Sequence, residues 1–138
     1  MKILVAVDGS KPSLKVVQLL IDHSDWYRSP PEVELVTVHL PVPKVGPVPK
    51  AQLERYYREE GLAKLAAAKK KLDAAGIRYA EHVLVGPVAE SIVKHAKDKR
   101  CDIIYIGTRG MGALGAALIG STATKVLHIS DTPVLLVK

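Results

Sequence analysis

The sequence predicts an α/β fold in which a parallel sheet of five strands carries helices on both faces. Two observations lead there. Five short runs rich in Val, Ile and Leu recur along the 138 residues, and segments with helical spacing separate each run from the next. The runs are apolar throughout instead of alternating, which is the pattern of strands covered on both faces in a parallel sheet. Strands that alternate with helices from end to end are joined by right-handed crossovers, and these place helices on both sides of the sheet. No repeat and no shift in composition divides the chain, so residues 1–138 read as one domain, long enough to bury a core. Spacing alone does not order the strands within the sheet.

KILVAVD (2–8) is the first strand, closed by the turn signal DGS. A helix over 10–24 follows. Ser10 caps it, Pro12 falls in the first turn, where a missing N–H costs nothing, and Leu14, Val17 and Ile21 share its apolar face. WYRSPPE is a loop, with Trp26 and Tyr27 expected to anchor it on the core. VELVTVHL (33–40) is the second strand. The next segment, LPVPKVGPVPK, carries four prolines and suits neither a helix nor an interior strand; it is a lid or a stiff connection.

Residues 51–75 hold the longest helical pattern, with Leu62, Leu65 and Leu72 at spacings of three and seven. Gly61 marks a break or kink within it, and Gly76 its C-terminal stop. IRYAEHVLV (77–85) is the third strand. Gly86-Pro87 opens a helix whose Val88, Ile92 and Ala96 form one face. DIIYIG (102–107) is the fourth strand, residues about 121–130 form a last helix, and PVLLVK (133–138) is the fifth strand.

The formal net charge of +6 favours anionic partners such as nucleotides, phosphates or nucleic acid. The excess is not gathered in an arm. Its densest runs are Lys69, Lys70 and Lys71, then Lys94, Lys97, Lys99 and Arg100, all inside helical segments where they read as solvated faces. With 4% aromatic residues and no Phe, stacking platforms for single strands are scarce, which argues against nucleic acid as the main partner. No apolar run approaches the ~20 residues of a membrane-spanning helix, so no membrane partner is expected. The opening MKILVAVDGS lacks the layout of a signal peptide, and the single cysteine excludes an internal disulfide. Both features point to a cytoplasmic protein.

Five of the ten glycines fall between Gly107 and Gly120, directly after the fourth strand. Gly loses more backbone entropy on ordering than any other residue, so this clustering calls for a reason. In open parallel sheets ligands sit at the carboxyl ends of strands, where the winding direction reverses. Backbone N–H groups freed of side chains close around phosphate oxygens, and the N-terminus of the following helix adds donors and a positive dipole end. Ser121 and Thr122 would add hydroxyls there. The alternative is a surface loop with Ser121 as an ordinary helix cap. No GxxxxGK[ST] is present, and GTRGMG lacks the spacing of the dinucleotide fingerprint GxGxxG. The stretch therefore suggests phosphate binding more than hydrolysis or hydride transfer.

From ILVAVDGS to the final PVLLV, the chain resembles the universal stress proteins. The specific part is the motif G-x2-G-x9-G-[ST], present as Gly107, Gly110, Gly120 and Ser121. By this resemblance the chain falls in the ATP-binding branch, and its sheet takes the order 3-2-1-4-5 shared with adenine-nucleotide alpha hydrolases. That order sets the first and fourth strands side by side. Asp8 matches the acidic residue that meets the nucleoside, and Val38 the second-strand residue against the adenine, with VTVH aligned to the usual LLHV. The expected nucleotide-binding set is Val7, Asp8, Val38, Gly107, Thr108, Arg109, Gly110, Met111, Gly112, Gly120, Ser121, Thr122 and Ala123. Arg109 is read equally as a phosphate contact or a solvent-facing charge, and Lys125 as a surface residue. The resemblance also implies a homodimer through residues 133–138, an unidentified protein partner, and ATP, ADP or AMP as ligand, with any Mg²⁺ held by the phosphates.

His23, His39, His82, His95 and His128 are scattered without metal-ligand spacing, so no protein-built metal site is expected. Cys101 has no CxxC partner and reads as a packed thiol. No general base and no Walker lysine stand out, and the SGGxDS turn of adenylating relatives is replaced by VDGSKPS. A slow ATPase or nucleotidyl-transfer enzyme is the rival reading. A protein-interaction dimer with a vestigial nucleotide site is the third.

Overall fold

The computed structural model describes residues 1–43, 46–109 and 118–138. In chain order the elements are β1 (Lys2–Ala6), α1 (Lys11–Asp22), β2 (Glu32–His39), α2 (Lys50–Ala74), β3 (Tyr79–Val85), α3 (Val88–Asp98), β4 (Ile103–Gly107), α4 (Ser121–Ile129) and β5 (Val134–Val137), with one 3-10 turn at Ser24–Trp26. The strands make one parallel sheet in the order β3-β2-β1-β4-β5, as expected. Its winding reverses between β1 and β4, which register Ile3 with Ile103 and Val5 with Tyr105.

Alternate residues of each strand feed two separate cores. Ile3, Val5, Val7, Val33 and Leu35 face α1 and α2, where Val16, Val17, Leu20, Leu65 and Leu72 complete one apolar cluster. Leu4, Ala6, Val36, Ile104 and Ile106 face α3 and α4, meeting Ala89, Ile92, Ala96, Ala123 and Val126. Burial on both faces explains why the strands read as continuous apolar runs. Each fully buried Leu or Ile contributes roughly 1.5–3 kcal/mol of transfer free energy.

Several local expectations need correction. β1 ends at Ala6, so Val7 and Asp8 lie just beyond the strand and form the rim of its carboxyl end. Ser10 does cap α1, accepting from the Ser13 N–H, but the helix turns Ser13, Val16, Val17 and Leu20 inward while Leu14 and Ile21 flank them. Gly61 does not break α2, which runs unbroken for 25 residues. It is buried against β3, and a Cβ there would collide with the Val83 side chain. Gly76, at φ 69°, ends the helix as expected, since that backbone favours glycine. Trp26 does not anchor the loop: it is 58% exposed and stacks on His23 at 4.0 Å. Tyr27 does so alone, packing on the core with its hydroxyl 2.7 Å from that of Tyr105.

Candidate functional site

At the carboxyl edge of β1 and β4 the structure opens a cleft of about 220 Å³. Its apolar part comes from Ala6, Val36, Val38 and Ile106 of the sheet and from Val88 and Ile92 of α3. Its polar part comes from Asp8, Ser13, Thr108, Arg109, Ser121 and Thr122. The ten described residues of the expected set, Val7, Asp8, Val38, Gly107, Thr108, Arg109, Gly120, Ser121, Thr122 and Ala123, all line it. Gly110, Met111 and Gly112 lie outside the described residues.

The neck of the glycine-rich loop is a backbone contact. Gly120 N–H donates to the Thr108 carbonyl at 2.7 Å, and a Cβ on Gly120 would stand 3.2 Å from that same oxygen. The Gly120 backbone (φ −62°, ψ 159°) is open to any residue, so closeness, not conformation, selects glycine there. Gly107 is held similarly, with its missing Cβ 3.2 Å from the Arg109 carbonyl. Gly120 is also the cap of α4 and, as a glycine, supplies no side chain to accept a capping hydrogen bond. Ser121 is therefore the first helical residue and not the cap. The opening N–H donors and positive dipole end of α4 meet the cleft through Ser121, Thr122 and Ala123.

Asp8 organises the opposite lip. Its Oδ1 accepts from the Ser10 N–H at 2.9 Å and from the Ser10 hydroxyl at 2.5 Å, while its own N–H donates to Ser13 Oγ at 3.3 Å. Gly9, at φ 84°, makes the turn that permits this. The carboxylate thus shapes the DGS turn and borders the cleft at once. His39 does not line the cleft; its ring packs edge-on against Tyr56 and Tyr57, with Nδ1 2.6 Å from the Leu40 carbonyl. Lys125 is an exposed helix residue paired with Glu90 across α3 and α4.

Sequence reasoning missed Ala6, Ser13, Val36, Val88, Ile92, Ile106 and Leu118 as cleft residues. Val36 was legible as the same-face neighbour of Val38, and Val88 with Ile92 as one face of α3. Reading the histidines as scattered also needs correction. His82 on β3 and His95 on α3 both reach Glu34 of β2, which is 7% exposed. No sequence spacing reveals this, because sheet pairing and a crossover bring the three together. Burial pushes the Glu34 carboxyl up, but the His95 hydrogen bond and the charges of His82, His95 and Lys2 leave it below its ordinary value. Burial holds His95 below the usual imidazole value, against the opposing pull of Glu34.

A parallel sheet wound in both directions, with a mainly apolar cleft rimmed by polar groups at its switch point, defines a doubly wound α/β domain whose opening lies where such folds take ligands. Residues 1–138 match the universal stress protein family, and the chain belongs to that family. A universal stress protein of Methanocaldococcus jannaschii is 32% identical over 140 residues, spanning 99% of this chain and 81% of that one. A universal stress protein solved in complex with cAMP aligns with a TM-score of 0.70 at 25% identity, over 100% of this chain and 96% of its own. The universal stress protein from Archaeoglobus fulgidus in complex with dAMP gives 0.66 at 26% identity, over 100% and 98%. Among the described residues, no helix is long and apolar enough to cross a membrane.

Proposed function

We propose that this chain is an adenine-nucleotide-binding stress protein whose physiological ligand is ATP, with ADP or AMP as alternative occupants of the same cleft. The observation that carries this reading is the joining, in one cleft, of an apolar slot and a polar rim that ends on the N-terminus of α4, where the cap residue Gly120 has no side chain. Val36, Val38, Val88 and Ile92 offer the flat apolar walls that a purine needs. Asp8 takes the ribose hydroxyls. The loop backbone, Ser121, Thr122 and the α4 N-terminus take the phosphates, with Arg109 at the rim. The ligands of the cAMP- and dAMP-bound relatives support an adenine nucleotide as the occupant.

The nucleotide acts as a bound effector: by preferring one state of the glycine-rich loop, it biases association with a protein partner. Any Mg²⁺ is held through the phosphates. The protein works in the cytoplasm as a single-domain homodimer. β5 is an edge strand of purely apolar VLLV, whereas the other edge, β3, is guarded by Glu81, which pairs with Lys69 at 2.7 Å. Calorimetric titration of nucleotide-stripped protein with ATP, ADP and AMP tests the reading. Saturable binding of one nucleotide per chain supports it, and no heat with any of the three overturns it.

A further inference from the structure

The Glu34 cluster has no role in the proposed nucleotide cleft. It lies on the same sheet face as Val36 and Val38 but toward the amino end of β2, beneath α3. A buried carboxylate on a strand interior is costly unless its charge is matched. One hydrogen bond and one ion pair account for part of the matching: His95 Nε2 stands 3.2 Å from Glu34 Oε2, and the Lys2 ammonium lies 3.7 Å from Oε1. His82 is different. Its Nε2 is buried and touches the same Oε2, yet outside the geometry of a hydrogen bond. The two imidazoles lie 4.4 Å apart, tilted by 56°, and both present Nε2 to one oxygen.

The geometry points to a divalent-metal site: Glu34, His82 and His95 each offer one ligand atom, all within 4.8 Å of one another, and would hold a first-row transition ion of the zinc class. Two imidazole nitrogens and one carboxylate oxygen form the borderline donor set that such ions select, leaving a fourth position for water. Tetrahedral bonds near 2.0–2.1 Å set neighbouring donors about 3.3 Å apart, close to the His95 to Glu34 separation, while His82, which stands nearer to Oε2, would draw back to make room for the ion. Bound there, the ion replaces the proton that His82 has no good geometry to share. Lys2 sits on the far oxygen, Oε1, and fixes the carboxylate so that Oε2 faces the imidazoles.

The test is a Co²⁺ titration of the full chain after chelator treatment and removal of nucleotide. We expect saturation at one ion per chain, visible absorption of a low-coordinate Co²⁺ site, and displacement by Zn²⁺. In the unmutated chain, Zn²⁺ should shift the Nε2 resonances of His82 and His95 and leave those of His23 and His128 in place. Because losing even a residue behind a ligand weakens metal binding by roughly 10–100-fold, His82→Ala should weaken it at least tenfold. Nucleotide affinity should be unaffected. Absence of saturable binding at millimolar ion, shifts confined to other histidines, or undiminished affinity in a folded His82→Ala protein would overturn the proposal.

Discussion

The Gly120 N–H and the Thr108 carbonyl, 2.7 Å apart, close the glycine-rich loop at its neck and bring the end of β4 onto the start of α4. Two sides of the cleft thereby meet: the carboxyl edge of the sheet and the start of α4. The closeness leaves a Cβ on residue 120 only 3.2 Å from the carbonyl oxygen. Gly120→Ala should be tolerated with a few tenths of an ångström of adjustment. Gly120→Val should spread the neck, at an overpacking cost of about 1–3 kcal/mol. Paired melting and calorimetry should show a folded protein whose loss of ATP affinity exceeds its loss of stability.

Gly61 and Val83 offer a test in which two rules disagree. Helix propensity favours Gly61→Ala by up to ~1 kcal/mol. Packing opposes it, because the new methyl collides with the Val83 side chain, and relieving such a collision costs about 1–3 kcal/mol. Packing should win, lowering the melting temperature by several degrees. Adding Val83→Ala should recover part of the loss, giving a favourable coupling in a double-mutant cycle.

Asp8→Asn separates charge from turn geometry. The amide oxygen can still accept from the Ser10 N–H, so the DGS turn and the melting temperature should be nearly unchanged. Hydrogen bonds to a charged group are worth about 1.5–3 kcal/mol, so ATP affinity should fall roughly tenfold or more if the carboxylate binds the ribose. Unchanged affinity would reduce Asp8 to a turn-former. Parallel assays of ATP hydrolysis address the rival enzyme: sustained turnover lost in Asp8→Asn with binding retained would favour catalysis.

Cys101, 8% exposed, has its thiol pushed by burial from 9.0 to about 11. Because the folded state favours the neutral thiol, its contribution to stability is complete below pH 9 and is lost as pH rises toward 11. The thiolate is the reactive form, so alkylation at pH 8 should be slow in native protein and should accelerate sharply in urea. Rapid native labelling would contradict the burial.

The sequence was most legible where the local signal and the global fold agree. The continuous apolar runs located all five strands because both faces of the sheet are covered. Ser10 and Gly76 marked helix ends because their backbone roles are local. What escaped were contacts between distant segments. Gly61 looks like a helix breaker until Val83 of a later strand is seen pressing on it. Glu34, His82 and His95 gain a meaning only from strand pairing and a crossover. The cleft was half legible: its glycine and Asp8 rim came from motifs, while its Val88 and Ile92 wall depended on where α3 packs.

The most direct test of the central claim is to purify the protein without added nucleotide, denature it, and identify what is released. The account predicts adenine nucleotide, as ATP or its AMP or ADP products, at up to one molecule per chain. Protein that releases none, and that gives no calorimetric response to ATP, would contradict it and leave the glycines serving only the shape of the loop.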